Sequence, residues 1–230
     1  MSEISVRRVE FGYFVRPGEE TATGQPRVEP VLGYLIDHPD ATFLFDTGWG
    51  SAPEVDAHYR PHPVGLHDAL AAVGLRLDEI THASNCHLHF DHCGGNPLLS
   101  GIPVFTQASE LAAARTTVDY TVPGLIDAPG TRWEVVDGEV EVLPDVHLIP
   151  TPGHTDGHQS LVVRRSDGVV VVAGQSHDTA TEYAADVLAL RAHGDTHSEP
   201  LPVPRAWMER LQQLDPARVV FAHDYSVWLP

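Results

Sequence analysis

The sequence is poor in cysteine, in basic residues and in long apolar runs. Only two cysteines occur among 230 residues, Cys86 and Cys93, so a secreted disulfide framework is excluded and a reducing compartment is expected. No early segment combines a basic start, an apolar core and a small-residue cleavage site. The longest aliphatic stretch, residues 169–173, is far too short to span a membrane. These absences predict a cytoplasmic protein.

The shortage of basic residues leaves the chain strongly acidic. Fourteen basic residues against 32 acidic ones give a formal net charge of −18. Such a surface repels phosphate backbones and anionic membranes, which argues against a nucleic-acid or membrane partner. A hydrophobic content of 42% is typical of a folded globular protein. We therefore expect a small-molecule substrate, while the oligomeric state stays open.

Histidine, in contrast, is abundant, with 15 residues in the chain. The densest segment is 85–95, in which His87, His89, Asp91 and His92 lie within six residues. Because His87 and His89 are two residues apart after a predicted strand, their side chains face the same side. Asp91 and His92, on the turn that follows, can bind a metal at a neighbouring point. Imidazole nitrogen and carboxylate oxygen are zinc ligands, so this turn predicts a metal site. A polar turn with solvated histidines is the alternative.

The rest of the sequence is typical of two sheets with helices outside them, in one domain over residues 1–230. Strands are predicted at 4–15, 31–37, 42–46, 79–84, 102–106, 132–136, 139–143, 146–149, 160–165, 168–173 and 218–222. Helices are predicted at 66–74, 107–115, 181–192 and 204–214. Long loops are predicted at 16–30, 48–65 and 116–130, where loops of this length often form functional rims.

The HxHxDH pattern of residues 87–92 resembles the signature of the metallo-β-lactamase superfamily. Three further motifs resemble that family in order and spacing: Asp46-Thr47-Gly48, the run 151–158, and Ala222-His223-Asp224. The resemblance implies an α+β fold, a four-layer αβ/βα sandwich with metals at the strand ends between the sheets.

The resemblance also implies the metal ligands. His87, His89 and His154 would bind a first metal, and Asp91, His92 and His223 a second. The metal would be zinc, one or two ions, with iron or manganese as alternatives.

Other polar residues of these motifs have more than one interpretation. Asp46 would orient a ligand without touching metal, with a simple strand-end turn as the alternative. His158 is either a support or a turn residue. We expect Cys93 to be a small buried residue rather than a ligand, and Gly94 and Gly95 to supply unusual backbone torsions.

The sequence departs from the family pattern at Gln175, where two-metal members have a bridging Asp. Three outcomes are open: Gln175 binds weakly, Asp178 or His177 substitutes, or the second site is weak or empty. We favour reduced affinity at the second site, because a neutral amide compensates the repulsion between two cations less than a carboxylate does.

The resemblance implies a hydrolase in which a metal-bound hydroxide opens a lactone, or a related ester or thioester, with Asp91 as catalytic residue. The motifs are closest to those of the N-acyl homoserine lactonase-like branch. Members of that branch have a Tyr where this chain has Asp178, which weakens the specific lactone interpretation. The alternative function is a non-hydrolytic protein of this fold, either an enzyme that rearranges a natural product or a binding protein, with an altered second metal site.

Residues on the predicted loops are candidates for the substrate pocket. They are Trp49, Tyr59, Phe90 and Tyr225 for an apolar wall, and Arg60 and Arg115 for an anionic group. An ordinary loop or core position is the alternative for each.

Overall fold

Twelve strands and six α-helices occur in residues 3–193 and 205–230, the part of the chain that this computed structural model describes. The strands are β1 Ser5–Arg16, β2 Arg27–His38, β3 Ala41–Phe45, β4 His62–Pro63, β5 His82–Ser84, β6 Pro103–Gln107, β7 Arg132–Val136, β8 Val140–Leu143, β9 Val146–Pro150, β10 Gln159–Arg165, β11 Gly168–Val172 and β12 Pro216–Val220. The helices are α1 Pro53–Tyr59, α2 Leu66–Ala72, α3 Phe90–Cys93, α4 Ala108–Thr116, α5 Ala180–Ala192 and α6 Ala206–Gln212.

The strands form two sheets. The larger has the order β4-β1-β2-β3-β5-β6-β7, and the smaller has the order β12-β11-β10-β9-β8. Strands β1 to β3 are antiparallel, whereas β3, β5, β6 and β7 run parallel to one another. In the smaller sheet only β11 and β12 are parallel. Parallel neighbours end at the same sheet edge, which brings the loops after them together.

Alternation along the strands builds the core between the sheets. In β2, Tyr34 and Ile36 point inward and meet Leu161 and Val163 of β10 in one buried cluster. Leu35, between them, faces the opposite way and packs in a separate cluster with residues of α2. A strand buried on both faces needs this continuous apolar run, because successive side chains alternate between the two sides.

The smaller sheet repeats the arrangement. Val170 and Val172 of β11 face the other sheet, while Val171 packs outward against Tyr183 of α5 and Met208 of α6. Helices therefore cover the outer face of both sheets. The predicted four-layer αβ/βα sandwich is confirmed.

The structure adds elements that the sequence analysis interpreted as loop. Helix α1 lies inside the predicted loop 48–65, where Pro53 takes the first helical position that suits its fixed torsion. Strand β2 begins at Arg27, inside the predicted loop 16–30. Pro30 is tolerated there because it lies beside a β-bulge opposite Tyr13. The helix predicted at 204–214 begins outside the described residues, and α6 covers its central part.

None of the helices within the described ranges has the length and apolar character that crossing a bilayer requires. The loops that follow β3, β5, β9, β11 and β12 all meet at one end of the sandwich, and they carry the polar motifs of the sequence.

Candidate metal centre

Six potential ligands come together where these loops meet. His87 and His89 follow β5, Asp91 and His92 belong to the single turn of α3, His154 follows β9, and His223 follows β12. The structure sorts them into two groups whose ligand atoms lie within 4.8 Å of one another: His87 with His89 and His154, and Asp91 with His92 and His223. These are the two triads that the resemblance implied.

The first group consists of imidazoles alone. The Nε2 of His154 lies 3.2 Å from the Nδ1 of His89, so two ring nitrogens face each other. The Nε2 of His87 is buried and has no hydrogen-bond partner within the described part of the chain. A buried polar atom without a partner is costly unless it binds something. Burial also lowers the pKa of His87 well below its ordinary value, so the ring is neutral, which is the form that binds metal. This donor set fits a divalent cation.

The second group contains a carboxylate. The Oδ2 of Asp91 lies 3.3 Å from the Nε2 of His223 and 3.6 Å from the Nε2 of His92. Burial disfavours the charged form of Asp91, but His92 and His223 outweigh burial and hold the pKa of that carboxyl well below its usual range. Asp91 is therefore ionised and available as an oxygen ligand.

Both histidines of the second group are oriented by a partner on the other ring nitrogen. The Nδ1 of His92 lies 3.1 Å from Asp46, whose second oxygen accepts a hydrogen bond from the Cys86 backbone. The Nδ1 of His223 lies 2.8 Å from the carbonyl oxygen of Pro30. These contacts leave both Nε2 atoms facing the site, which is how partners of ligating histidines fix the ring. Asp46 contacts His92 and belongs to neither group, which is the arrangement of an orienting residue.

Buried polar side chains hold the histidine loop in shape. Asn85 donates to the carbonyl oxygen of His92 and accepts from Asn96. Glu110 of α4, 1% exposed, accepts from the backbone of Leu88 and from the hydroxyl of Thr155, so it joins the first histidine loop to the loop of His154. The sequence analysis missed Glu110, because nothing local marks its contact with Thr155, 45 positions away, and it assigned no role to Asn85.

The two cysteines have different positions. Cys93 is buried with its Sγ near the carbonyl oxygen of Leu88, and it belongs to neither ligand group, as expected. Cys86, which the sequence analysis did not consider as a ligand, has its Sγ 3.2 Å from the Nδ1 atoms of both His87 and His92. Cys86, His87 and His92 therefore form a third group of atoms within 4.8 Å of one another, but burial raises the pKa of the Cys86 thiol to about 12, which keeps the thiol neutral.

The expectation for Gly94 and Gly95 is corrected. Both have ordinary right-handed torsions, so positive φ is not the reason for glycine here. A Cβ atom on Gly94 would lie 2.1 Å from the Trp49 backbone, and one on Gly95 would lie 2.7 Å from the Thr47 carbonyl oxygen. Close approach of two backbones requires the glycines.

Gln175 reaches the second group. Its Oε1 lies 3.2 Å from the Nε2 of His92, and its Nε2 donates to Asp178 over 3.2 Å. Because a carboxylate only accepts, Asp178 fixes the amide with its oxygen toward the histidines. The Gln175 backbone donates to the Nε2 of His158, whose other nitrogen contacts Thr151, so His158 supports this loop.

His177 lies apart from the ligands. Its Nε2 pairs with Asp186 of α5 at 3.0 Å, and its ring packs against Tyr183. Of the two residues considered as substitutes for the missing carboxylate, Asp178 is beside Gln175, whereas His177 turns away. Tyr183 of α5 is buried against the smaller sheet and is not among the residues that line the cavity over the two groups.

A cavity of about 140 Å³ opens above both groups. The residues that line it are Phe14, Arg16, Glu20, Tyr59, His89, Phe90, Asp91, His154 and Gln175. Two of the four candidate aromatic residues, Tyr59 and Phe90, form part of the wall, and Trp49 packs against both rings from behind. Tyr225 lines a different cavity, and Arg115 pairs with Asp127 on the surface. Arg16, which no sequence pattern marked, lines the cavity.

The chain is similar in sequence and in structure to known proteins that share this fold. The family model of the metallo-beta-lactamase superfamily matches residues 26–223. This chain belongs to that superfamily.

Several curated relatives have a more particular description. An N-acyl homoserine lactonase of Bacillus cereus is 29% identical over 175 residues, which are 69% of this chain and 68% of that protein. The N-acyl homoserine lactonase AttM of Rhizobium radiobacter is 30% identical over 157 residues, 59% of this chain and 60% of that protein. Among solved structures, a B. thuringiensis AiiA mutant with N-decanoyl-L-homoserine bound at its active site superposes with a TM-score of 0.78 at 24% identity, covering 98% of this chain and 95% of that one.

Proposed function

We propose that this protein is a metal-dependent lactonase that hydrolyses the ester bond of a small lactone, with N-acyl homoserine lactones as the substrate class. The curated relatives are N-acyl homoserine lactonases, and another structural neighbour is described as a dizinc quorum-quenching lactonase. Zinc is accordingly the proposed metal. The observation that carries the proposal is the convergence of two ligand triads below one cavity, with the buried Nε2 of His87 left without a partner among the described residues.

In this proposal His87, His89 and His154 hold one ion, and Asp91, His92 and His223 hold a second. When bound, the metal would act as a Lewis acid on a carbonyl oxygen and would lower the pKa of water. Hydrolysis joins the water oxygen to the lactone carbonyl carbon and breaks the bond from that carbon to the ring oxygen. One proton passes from the water to the ring oxygen. The product acid then releases its own proton to solvent.

Asp91 is the group proposed to hold the proton in transit. Its carboxylate lines the cavity beside His89 and His154, so it lies next to both proposed metal positions. It is ionised in the resting protein and therefore accepts a hydrogen bond from water, which orients the water for attack. The contacts of Asp91 with His92 and His223 keep the carboxylate in one orientation.

The aromatic wall favours a substrate with an apolar group. The rings of Tyr59 and Phe90 lie 5.3 Å apart, with Phe14 next to Tyr59 at 5.8 Å. An acyl chain packed on these rings would bury apolar surface and hold the lactone over the metals. The net charge of −18 is also compatible with an uncharged substrate.

The test is hydrolysis of a panel of N-acyl homoserine lactones, simple lactones, aryl esters and thioesters by zinc-loaded protein. We expect turnover of lactones in preference to the open-chain esters. The metal-free protein and the His87→Ala variant are the controls, and neither should be active. Absence of turnover on the whole panel, with two metals measured in the protein, would refute the proposal.

A second function is favoured by two residues of the site itself. Gln175 and Asp178 occupy positions where the resemblance implied an Asp ligand and a Tyr. An altered second metal site suits a non-hydrolytic reaction or a binding role, and loss of turnover with metal bound is the outcome that would select it. We further propose reduced affinity at the second metal position. The cytoplasmic location stays a prediction, supported by two free, buried thiols.

A further inference from the structure

We propose that Arg16 is a catalytic residue of this site: its guanidinium holds the anionic oxygen that forms when the lactone is attacked, and then the carboxylate of the ring-opened product. The proposal rests on the proposed lactone hydrolysis. Arg16 lies at the end of β1. In this proposal it donates the hydrogen bond that a Tyr would donate if this chain had one at the position of Asp178.

Arg16 is held by hydrogen bonds along one edge, while its Nη1 makes only a long ion pair. Its Nε and Nη2 donate to the two oxygens of Glu29 over 2.7 and 2.8 Å, the fork geometry that fixes a guanidinium plane. The Nη1 atom makes no hydrogen bond to any residue that the structure describes. The nearest acidic atom to it is the Oε2 of Glu20, at 3.6 Å, which is beyond hydrogen-bond distance. Two N–H donors of a preorganised cation are therefore available.

Arg16 is one of the residues that line the cavity. The Arg16 side chain is 12% exposed, and it lines the cavity together with His89, Asp91 and Gln175. The chain contains 14 basic residues, all of them Arg, and Arg16 is the one that lines this cavity among the described residues. A buried guanidinium with an unused edge, beside proposed metal ligands, is the donor that a developing oxyanion requires.

The guanidinium of Arg16 stays protonated. Burial opposes it, but Glu29 outweighs burial and raises the pKa of the guanidinium further above its ordinary value. Glu20 does not cancel the charge fully, because its carboxylate is shared with the Tyr59 hydroxyl and His58. An anionic oxygen of the substrate therefore competes with Glu20 for Nη1.

A second arginine, Arg205, is the alternative candidate for holding the anionic oxygen. Arg205 lines a neighbouring cavity that shares His154 and Gln175, but its Nη1 already donates to the carbonyl oxygen of Ser176. If the reaction used that cavity, Arg205 would hold the anion instead.

The test compares Arg16→Gln, Arg16→Lys, Arg205→Gln and Arg7→Gln in the zinc-loaded protein. Arg7 is the matched control, because it forms the same two-pronged pair with Asp37 near the opposite end of β1. We expect Arg16→Gln to lower kcat by roughly 100-fold, the size found when one oxyanion donor is removed, with KM for the uncharged lactone nearly unchanged. Arg16→Lys should recover part of kcat, since it keeps the charge but loses the fork.

A binding measurement separates this proposal from the lactonase proposal. Calorimetry with N-hexanoyl-L-homoserine, a ring-opened carboxylate, should give an affinity at least about tenfold weaker for Arg16→Gln than for the wild type and Arg7→Gln. Equal affinities, no binding by the wild type, or a loss confined to Arg205→Gln would overturn the role of Arg16. Failure of the wild type to hydrolyse any lactone, with this difference in carboxylate affinity intact, would refute only the lactonase.

Discussion

The two halves of the metal centre differ in how far the protein satisfies them by itself. In the first triad three imidazoles face one another, and the buried Nε2 of His87 has no partner in the described residues. In the second, Asp91 lies within ion-pair distance of His92 and His223, and Asp46 holds His92. We expect a cation to gain most in the first half, because it would satisfy the Nε2 of His87, which no described residue does. In the second half the Asp91 carboxylate already has two imidazole contacts, so we expect a cation to gain less there.

The comparison predicts that removal of one imidazole from the first triad abolishes activity. His87→Ala should lower kcat/KM for the lactone by at least about 1,000-fold, since metal catalysis contributes several kcal/mol to transition-state stabilisation. Lactone hydrolysis and metal content by elemental analysis are the measurements. His67→Ala, on the exposed side of α2, is the matched control and should be silent. Full activity of His87→Ala would mean that the first triad is not the catalytic half.

Metal titration of the chelated protein tests the two halves together. The first equivalent of zinc should raise the free energy of unfolding more than the second, because tighter binding to the folded state stabilises it more. An ion at 1,000 times its Kd contributes about 4 kcal/mol. Calorimetric unfolding at zero, one and two equivalents is the measurement. Two equal steps, or two ions that resist mild chelation equally, would contradict the proposed difference in affinity.

A substitution at Asp46 should weaken metal binding in the second half alone. Asp46→Asn should weaken the second metal by roughly 10- to 100-fold, because the carboxylate that orients His92 is lost. Asn tolerates the left-handed φ of 64° at this position, so the backbone should not be strained. Competition with a chelating dye measures both affinities, and Asp40→Asn in an exposed turn is the control. Equal weakening of both metals would show that the halves are not independent.

The two groups of potential ligands were predictable from the sequence because they belong to compact motifs. Residues 87–92 carry four of the six proposed ligands, and the continuous apolar runs of β2 and β11 are typical of strands buried on both faces. Chemistry that depends on neighbours distant in sequence was not predictable. Glu110 and Arg16 act through partners contributed by other elements, and no local pattern marks them. Pro30 was interpreted as loop for the same reason, since a bulge in the partner strand makes it compatible with β2.

Gln175 is an intermediate case. The family resemblance identified it as the departure from the two-metal pattern, but only the structure gives the direction of its amide. That direction depends on Asp178, which in turn pairs with Arg27 of β2 at 2.9 Å. Sequence therefore predicted where the second half is altered, and the contacts between β2 and the loop after β11 explain how the altered residue is held.

The smallest expected effect restores the missing carboxylate. Gln175→Glu keeps the side-chain length and adds one negative charge beside His92, where two cations would otherwise repel each other with little compensation. We expect the second metal to bind about tenfold more tightly, or about 1.4 kcal/mol, while the first changes little. Gln175→Asp should act in the same direction, with less gain if its shorter side chain falls short of the metal.

The gain in affinity for the second metal is limited by Asp178. The Gln175 amide donates to that carboxylate, and a carboxylate at position 175 cannot, so like charges would face each other in the metal-free protein. Urea unfolding without metal should therefore show lower stability for Gln175→Glu than for Gln213→Glu, which adds the same charge on the exposed side after α6. With two equivalents of zinc the order should reverse, because the second ion neutralises the new charge. Unchanged affinity of the second metal in both Gln175 variants would mean that the neutral amide is not what weakens that half.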